Sequence, residues 1–137
     1  MLVVTTLFPF PFFIRSSRHD NGLLIQDTHI PHFLGQGQSQ LGLLAFIATS
    51  AGGSALTEAN VKSSPHLVQQ MLHAVDAVHG RGILHGDLAL PNFVRTPDQK
   101  GLWLLDFADS TFGDLKELAA ERKAFVDHLH NSGCSVG

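Results

Sequence analysis

At 137 residues the chain has room for one domain and one modest core. Its 44% hydrophobic and 15% charged residues are ordinary globular composition, and a formal charge of −3 gives no electrostatic reason to expect nucleic acid or an anionic membrane as a partner. Cys134 is the only cysteine, so no intramolecular disulfide forms, and the cytoplasm or another reducing compartment is the simpler expectation.

From Leu2 to Ile14 the chain is apolar apart from Thr5 and Thr6. A signal peptide is one reading, but no basic residue precedes the run, Pro9 and Pro11 interrupt it, and no small-x-small cleavage site follows. The run is too short to span a bilayer as a helix. Residues 1–29 are therefore read as an apolar leader and an irregular segment, with secretion and a mis-set chain start as alternatives. Residues 30–137 are read as the domain.

Two short apolar runs, Ile30 to Leu34 and Leu41 to Ile47, are predicted as strands joined by a turn carrying Gly35 and Gly37. Ala51-Gly52-Gly53-Ser54 reads as a flexible connector. A helix is predicted over Pro65–His79, with Ser64 as cap, proline at the first position, and Leu67, Met71, Leu72, Val75 and Val78 on one face. Gly80 and Gly82 stop it. Ile83-Leu84 is a brief extended piece before a polar loop, His85 to Asn92. Phe93–Arg95 and Leu102–Leu105 are predicted to form a hairpin. The last helix, Leu115–Asn131, starts on a capping box of Asp114 and Glu117 and carries Leu115, Leu118, Ala119, Arg122, Phe125, Val126 and Leu129 at helical spacing. The fold class is α+β.

The hairpin brings chemistry-bearing residues together. A turn centred near Gln99 sets Asn92 opposite Asp106, close enough for an amide oxygen and a carboxylate to share one hard cation such as Mg²⁺. Asp87 lies on the loop entering the first strand. A carboxylate beside a metal-ligand pair suits transfer of phosphate to a hydroxyl, which needs an orienting base and cations that neutralise developing charge. Separately, Asp106 is an ordinary strand-end carboxylate and Asn92 a turn former; the combination points to function. The nine histidines form no HExxH array, and pairs such as His29/His32 and His128/His130 read as surface or half-buried side chains. Trp103 reads as packing, and Cys134 as a bystander.

His85-Gly86-Asp87-Leu88-Ala89-Leu90-Pro91-Asn92 resembles the H-x-D-L-x-x-x-N catalytic loop of protein kinases and their small-molecule relatives, and Asp106-Phe107-Ala108 resembles the D-F-G motif. The His-Gly-Asp start and Pro91 are similar to aminoglycoside and choline phosphotransferase-like enzymes. This resemblance implies a truncated protein-kinase-like fold that uses ATP as co-substrate with Mg²⁺. It implies Asp87 as the catalytic aspartate, His85 as a brace of the loop, and Asn92 and Asp106 as metal ligands. By chain order it also implies a hinge for adenine that includes Ala48, Thr49 and Ser50. The phosphoacceptor would be a protein or small-molecule hydroxyl.

Other parts of the family pattern are missing. Gly35-Gln36-Gly37 is a lone G-x-G, Ala48 stands where the strand lysine would fall, no glutamate precedes Glu58, and the first lysine is Lys62. Ala108 replaces the glycine of D-F-G, and no A-P-E segment follows. Two functions are therefore expected in competition: an ATP- and Mg²⁺-dependent phosphotransferase, or a catalytically inactive pseudokinase or gene fragment acting as a binding module.

Overall fold

The computed structural model describes residues 2–6, 29–31, 33–38, 45–50 and 53–136, the three segments 2–6, 33–38 and 45–50 by their backbone alone. These segments are strands β1 (Leu2–Thr6), β2 (Phe33–Gln38) and β3 (Ala45–Ser50), which form one antiparallel sheet in the order β1-β3-β2. The second predicted strand exists over Ala45–Ser50, residues 41–44 of that expectation lying outside the described segments, and the first is shifted toward Gln38. Gly35 and Gly37 lie inside β2, not in the turn, and a bulge interrupts the register between Phe33 and Gly35. Bulges and strand glycines go together because a missing side chain tolerates the local kink. Leu2–Thr6, read as leader from the sequence, pairs with β3 from Leu2↔Ser50 to Thr6↔Phe46.

Residues 53–56 are anchored to the next hairpin, although the sequence suggested a flexible connector over Ala51–Ser54. The Gly53 N–H donates to Arg95 O, the Arg95 N–H donates to Ser54 O, and the Leu56 N–H donates to Phe93 O. Residues 51 and 52 lie outside the described segments. A short helix α1 (Glu58–Lys62) follows, capped by Thr57, whose side chain accepts from the Asn60 N–H. Helix α2 (Pro65–His79) has the predicted bounds. Its buried face, Leu67, Val68, Met71, Ala74, Val75 and Val78, recurs at the three- and four-residue steps of a helix lying on a core.

Beyond α2 come β4 (Ile83–Leu84), a 3₁₀ turn over Leu90–Asn92, β5 (Phe93–Arg95), β6 (Leu102–Leu104), β7 (Thr111–Phe112) and α3 (Leu115–Asn131). β5 pairs antiparallel with β6, and β4 with β7. Phe93, Leu104, Met71 and Leu129 are fully buried, and Phe93 stacks on Phe125 of α3 at 5.5 Å. Burying side chains of this size contributes roughly 1.5–3 kcal/mol each. The capping box of α3 is formed: Asp114 accepts from the Lys116 and Glu117 N–H groups, and Glu117 accepts from the Asp114 N–H. Its apolar stripe is narrower than predicted. Leu118, Phe125 and Leu129 are buried, but Leu115 is 85% exposed at the first turn, where α3 leaves the core.

Among the described residues, no helix is long and apolar enough to cross a membrane.

Candidate functional site

The hairpin places Asn92 and Asp106, but with a different register from the predicted one. Phe93 pairs with Leu104, Val94 with Trp103 and Arg95 with Leu102. Asn92 therefore lies opposite Leu105, whose N–H donates to Asn92 O at 2.7 Å, and Asp106 is the next residue along. The turn explains the slip. Gln99 takes a positive φ of 61°, the Gln99 N–H donates to Thr96 O, and the Thr96 N–H donates to Gly101 O, so the loop closes half a step earlier than a turn centred on Gln99. Asp106 itself has φ 61°. Asparagine and aspartate tolerate this left-handed region better than other side chains, yet it still costs about 1 kcal/mol, and such outliers gather at functional sites.

Asp87 and Asn92 are joined directly. Asn92 Nδ2 donates to Asp87 O at 2.8 Å and to Asp87 Oδ2 at 3.3 Å. These bonds fix the amide, with its nitrogen turned to Asp87 and its oxygen left to accept. The 3₁₀ turn supplies this geometry: Pro91 sets its backbone, and the Asn92 N–H donates to Ala89 O at 3.0 Å.

His85 is the hub between the loop and the strand end. It is completely buried, and its Nε2–H donates to Leu105 O at 2.7 Å. Its Nδ1 accepts from the Asp87 N–H at 3.1 Å. A carbonyl can only accept and an amide N–H can only donate, so both ring positions are assigned and the imidazole is neutral. Burial pushes its pKa below the usual histidine value. The Leu105 carbonyl and the charges of Glu121, Asp106 and Asp87 pull the other way without overcoming burial. Phe107 packs edge-on against the ring at 4.7 Å. Through this one side chain, the backbone before Asp106 and the backbone of Asp87 are held in fixed relation.

Gly86 lets the two loops meet. Its φ is +87°, and a Cβ there would lie 2.5 Å from Asp109 O. Only glycine accommodates both the dihedral and the approach.

The sequence reading missed Glu121. This α3 residue reaches the loop from behind: Oε1 accepts from the His85 N–H at 2.9 Å and from His79 Nε2 at 2.7 Å, and Oε2 accepts from the Gly86 N–H at 2.7 Å. Burial by itself would raise its pKa. The hydrogen bonds from His79, Gly86 and His85 outweigh burial and hold the carboxyl below the ordinary glutamate value. The only signal in the sequence was a lone acid on the inner half of an amphipathic helix, with nothing to name its partner. Arg122, one residue on, pairs with Asp76 of α2 through Nε at 2.6 Å and a second nitrogen at 3.2 Å.

The donor set suits a hard cation. Asp106 offers an exposed carboxylate with one long contact, from the Ala108 N–H at 3.4 Å, and Asn92 offers its amide oxygen. Mg²⁺ prefers such oxygen ligands and fills the rest of its octahedron with water and phosphate oxygens. Among the described residues no cluster of three or more histidine, cysteine, aspartate or glutamate side chains could hold a metal alone. The hinge candidates Ala48, Thr49 and Ser50 fall on the last residues of β3; Ala48 and Thr49 pair with both β1 and β2, and Ser50 with β1. A cavity of about 290 Å³ borders the loop at Ala89, Leu90 and Pro91 and is closed by Leu56, Thr57, Glu58 and His128.

No protein-family model and no curated protein matches the chain. Among solved structures it is similar to a chain of the yeast RNA polymerase II CTD kinase complex CTDK-1, with a TM-score of 0.54 and 18% identity over 83% of this chain. The fold is kinase-like. The match covers 40% of the yeast chain, so this protein spans less than half the length of the chain it is similar to. The kinase-like fold and the α+β class stand on that similarity together with the mixed helices and small antiparallel sheets.

Proposed function

We propose that this chain is a kinase-type phosphotransferase that uses ATP and Mg²⁺ to phosphorylate a hydroxyl on a protein or small molecule. The observation that carries this reading is the Asn92–Asp87–His85–Leu105 hydrogen-bond chain on a kinase-like fold. It places one carboxylate on the loop and a second, Asp106, directly after the residue to which His85 is bonded. In the proposed reaction, Asp87 orients the acceptor hydroxyl and receives its proton as the oxygen bonds to the γ-phosphorus, while the bond from that phosphorus to the β,γ-bridging oxygen breaks and ADP leaves. Asn92 Oδ1 and the Asp106 carboxylate would hold Mg²⁺, which neutralises charge on the phosphate oxygens. His85 keeps Asp87 and Asp106 in register and takes no proton, since both ring positions are already engaged. The cavity beside Ala89–Pro91 offers Thr57, Glu58 and His128 as polar groups for a hydroxylated part of a ligand.

A second reading, a pseudokinase that binds without turnover, is favoured by one feature. No lysine precedes Lys62, so no ammonium from the β1-β3-β2 sheet can position the α- and β-phosphates. Under the first reading this lowers turnover without abolishing it.

Radiolabelled ATP turnover by the purified parent, Asp87→Ala and Asp106→Ala separates the two readings. Phosphotransfer predicts measurable Mg²⁺-dependent turnover in the parent and large losses in both variants. Equal residual turnover in all three would assign the activity to a contaminant and leave the binding-module reading.

A further inference from the structure

At the end of the β5–β6 hairpin remote from Asn92 lies a polar cavity of about 380 Å³ that the proposed reaction does not use. Four segments line it: the α1–α2 junction (Asn60, Ser63, Ser64), the first turns of α2 (His66, Leu67, Gln70), the end of β5 (Arg95), and the hairpin turn (Gln99, Lys100). Its volume falls within the range of small-molecule sites.

The charge of this lining contrasts with that of the chain. Two permanent cations, Arg95 and Lys100, and the titratable His66 face a space lined by no carboxylate, in a protein of formal charge −3. Among the described residues, neither Arg95 nor Lys100 has an ion-pair partner within 4 Å, as is also true of Arg81 and Lys116, whereas Lys62, Arg122 and Lys123 are paired. The nearby acid is occupied: Asp98 accepts from the Thr96 hydroxyl and the Lys100 N–H, bonds that hold its carboxyl below the usual aspartate value. The turn is thus folded on its own carboxylate; the Lys100 charge also favours ionised Asp98, but no ion pair within 4 Å joins the two side chains.

Neutral donors face the same space. Ser64 precedes α2 in an extended conformation and its hydroxyl makes no cap hydrogen bond, so it remains available. Gln70 is held in place by donating to Lys100 O at 3.0 Å, which ties the helix to the turn and fixes the cavity's width.

We propose that this cavity is a second binding site, for a phosphate monoester. Two fixed cations match a dianion, the guanidinium fork of Arg95 suits bidentate contact with phosphate oxygens, and the Ser64 hydroxyl supplies a neutral donor. The site does not depend on the kinase-type reading, because none of its residues belongs to the Asp87 loop.

The test is calorimetric titration of the full chain with O-phosphoserine, glucose 6-phosphate and a phosphoserine peptide, at fixed ionic strength in EDTA so that no metal holds phosphate at Asp106. The proposal predicts saturable binding of at least one probe, weakened about tenfold by Arg95→Gln and by Lys100→Gln. Arg95→Lys keeps the charge but loses the fork, so it should weaken binding less than Arg95→Gln does, which separates loss of charge from damage to the strand. Lys116→Gln, on the exposed first turn of α3, should change nothing. Preference among the three probes distinguishes a free metabolite from a modified peptide. No saturable binding up to about 10 mM, or binding equally strong in both glutamine variants, would overturn the proposal.

Discussion

Glu121→Ala is expected to be among the most damaging single changes to the candidate site, although the residue lies outside the loop motif. The carboxylate accepts three hydrogen bonds, from His79, the His85 N–H and the Gly86 N–H, and its side chain is only 15% exposed. Hydrogen bonds to a charged acceptor are worth roughly 1.5–3 kcal/mol each. The simple sum overstates the effect, because water enters the vacated space and re-satisfies part of the set; about 2–4 kcal/mol is the expected net loss. Glu121→Gln is the sharper probe. If its oxygen replaces Oε1, its amide nitrogen meets the Gly86 N–H, donor against donor. If it turns over, the amide meets the His85 N–H instead. One backbone donor is orphaned either way, for about 1–2 kcal/mol. At this chain length 1 kcal/mol corresponds to about 3–5 °C in Tm, so alanine should lower Tm by about 6–20 °C and glutamine by about half as much. Differential scanning calorimetry measures both, and amide exchange at His85 and Gly86 should accelerate in parallel. An alanine variant within about 0.5 kcal/mol of the parent, with unchanged exchange at both amides, would refute the reasoning.

Acidification should act through two groups whose folded pKa lies below the unfolded value. For His85 the favourable contribution is complete above the unfolded value of 6.5 and is lost as pH falls through the lower folded one. Glu121 behaves likewise, its contribution complete above 4.5 and lost as pH falls through the lower folded value, so Tm measured from pH 8 down to about 2 should decline in two stages, the first absent in His85→Gln. Gly86→Ala adds a Cβ 2.5 Å from Asp109 O at φ +87°, whereas Gly82→Ala at φ +74° meets nothing within 4 Å. Urea melts should therefore show about 1 kcal/mol for the Gly82 change and at least twice that for Gly86. Met71→Ala empties a fully buried position on α2 and should cost about 2–5 kcal/mol by the same melts.

Local signals in the sequence were enough for the elements that carry the site. Pro65 after Ser64, and Asp114 with Glu117, mark helix starts through backbone chemistry that a tertiary fold does not change, and both helices have the predicted bounds. The Phe93–Arg95 and Leu102–Leu104 hairpin was legible from two short runs on either side of a turn centred near Gln99. Its register was not, because the left-handed Gln99 shifts the pairing by one, and Asn92 faces Leu105 instead of Asp106. Short elements were missed for a related reason. β7 has two residues and pairs with β4 only because the loop after Asp106 folds back on it. Glu121 was invisible because its partners are the backbone N–H groups of residues far away in sequence, which no side-chain pattern encodes. Leu115 shows the opposite error: helical periodicity placed it on the apolar stripe, while the path of α3 leaves it in solvent.

The central claim, that Asp106 and Asn92 hold a metal for a nucleotide while Asp87 serves the acceptor, is tested most directly by Mg²⁺-dependent ATP affinity in the parent, Asp106→Ala and Asp87→Ala. Removing Asp106 removes a ligand charge from the metal, so Mg²⁺-dependent affinity should disappear in that variant. Removing Asp87 leaves the metal ligands in place, so affinity should stay within about threefold of the parent. ATP affinity that is independent of Mg²⁺, or equal in the parent and Asp106→Ala, would contradict the account.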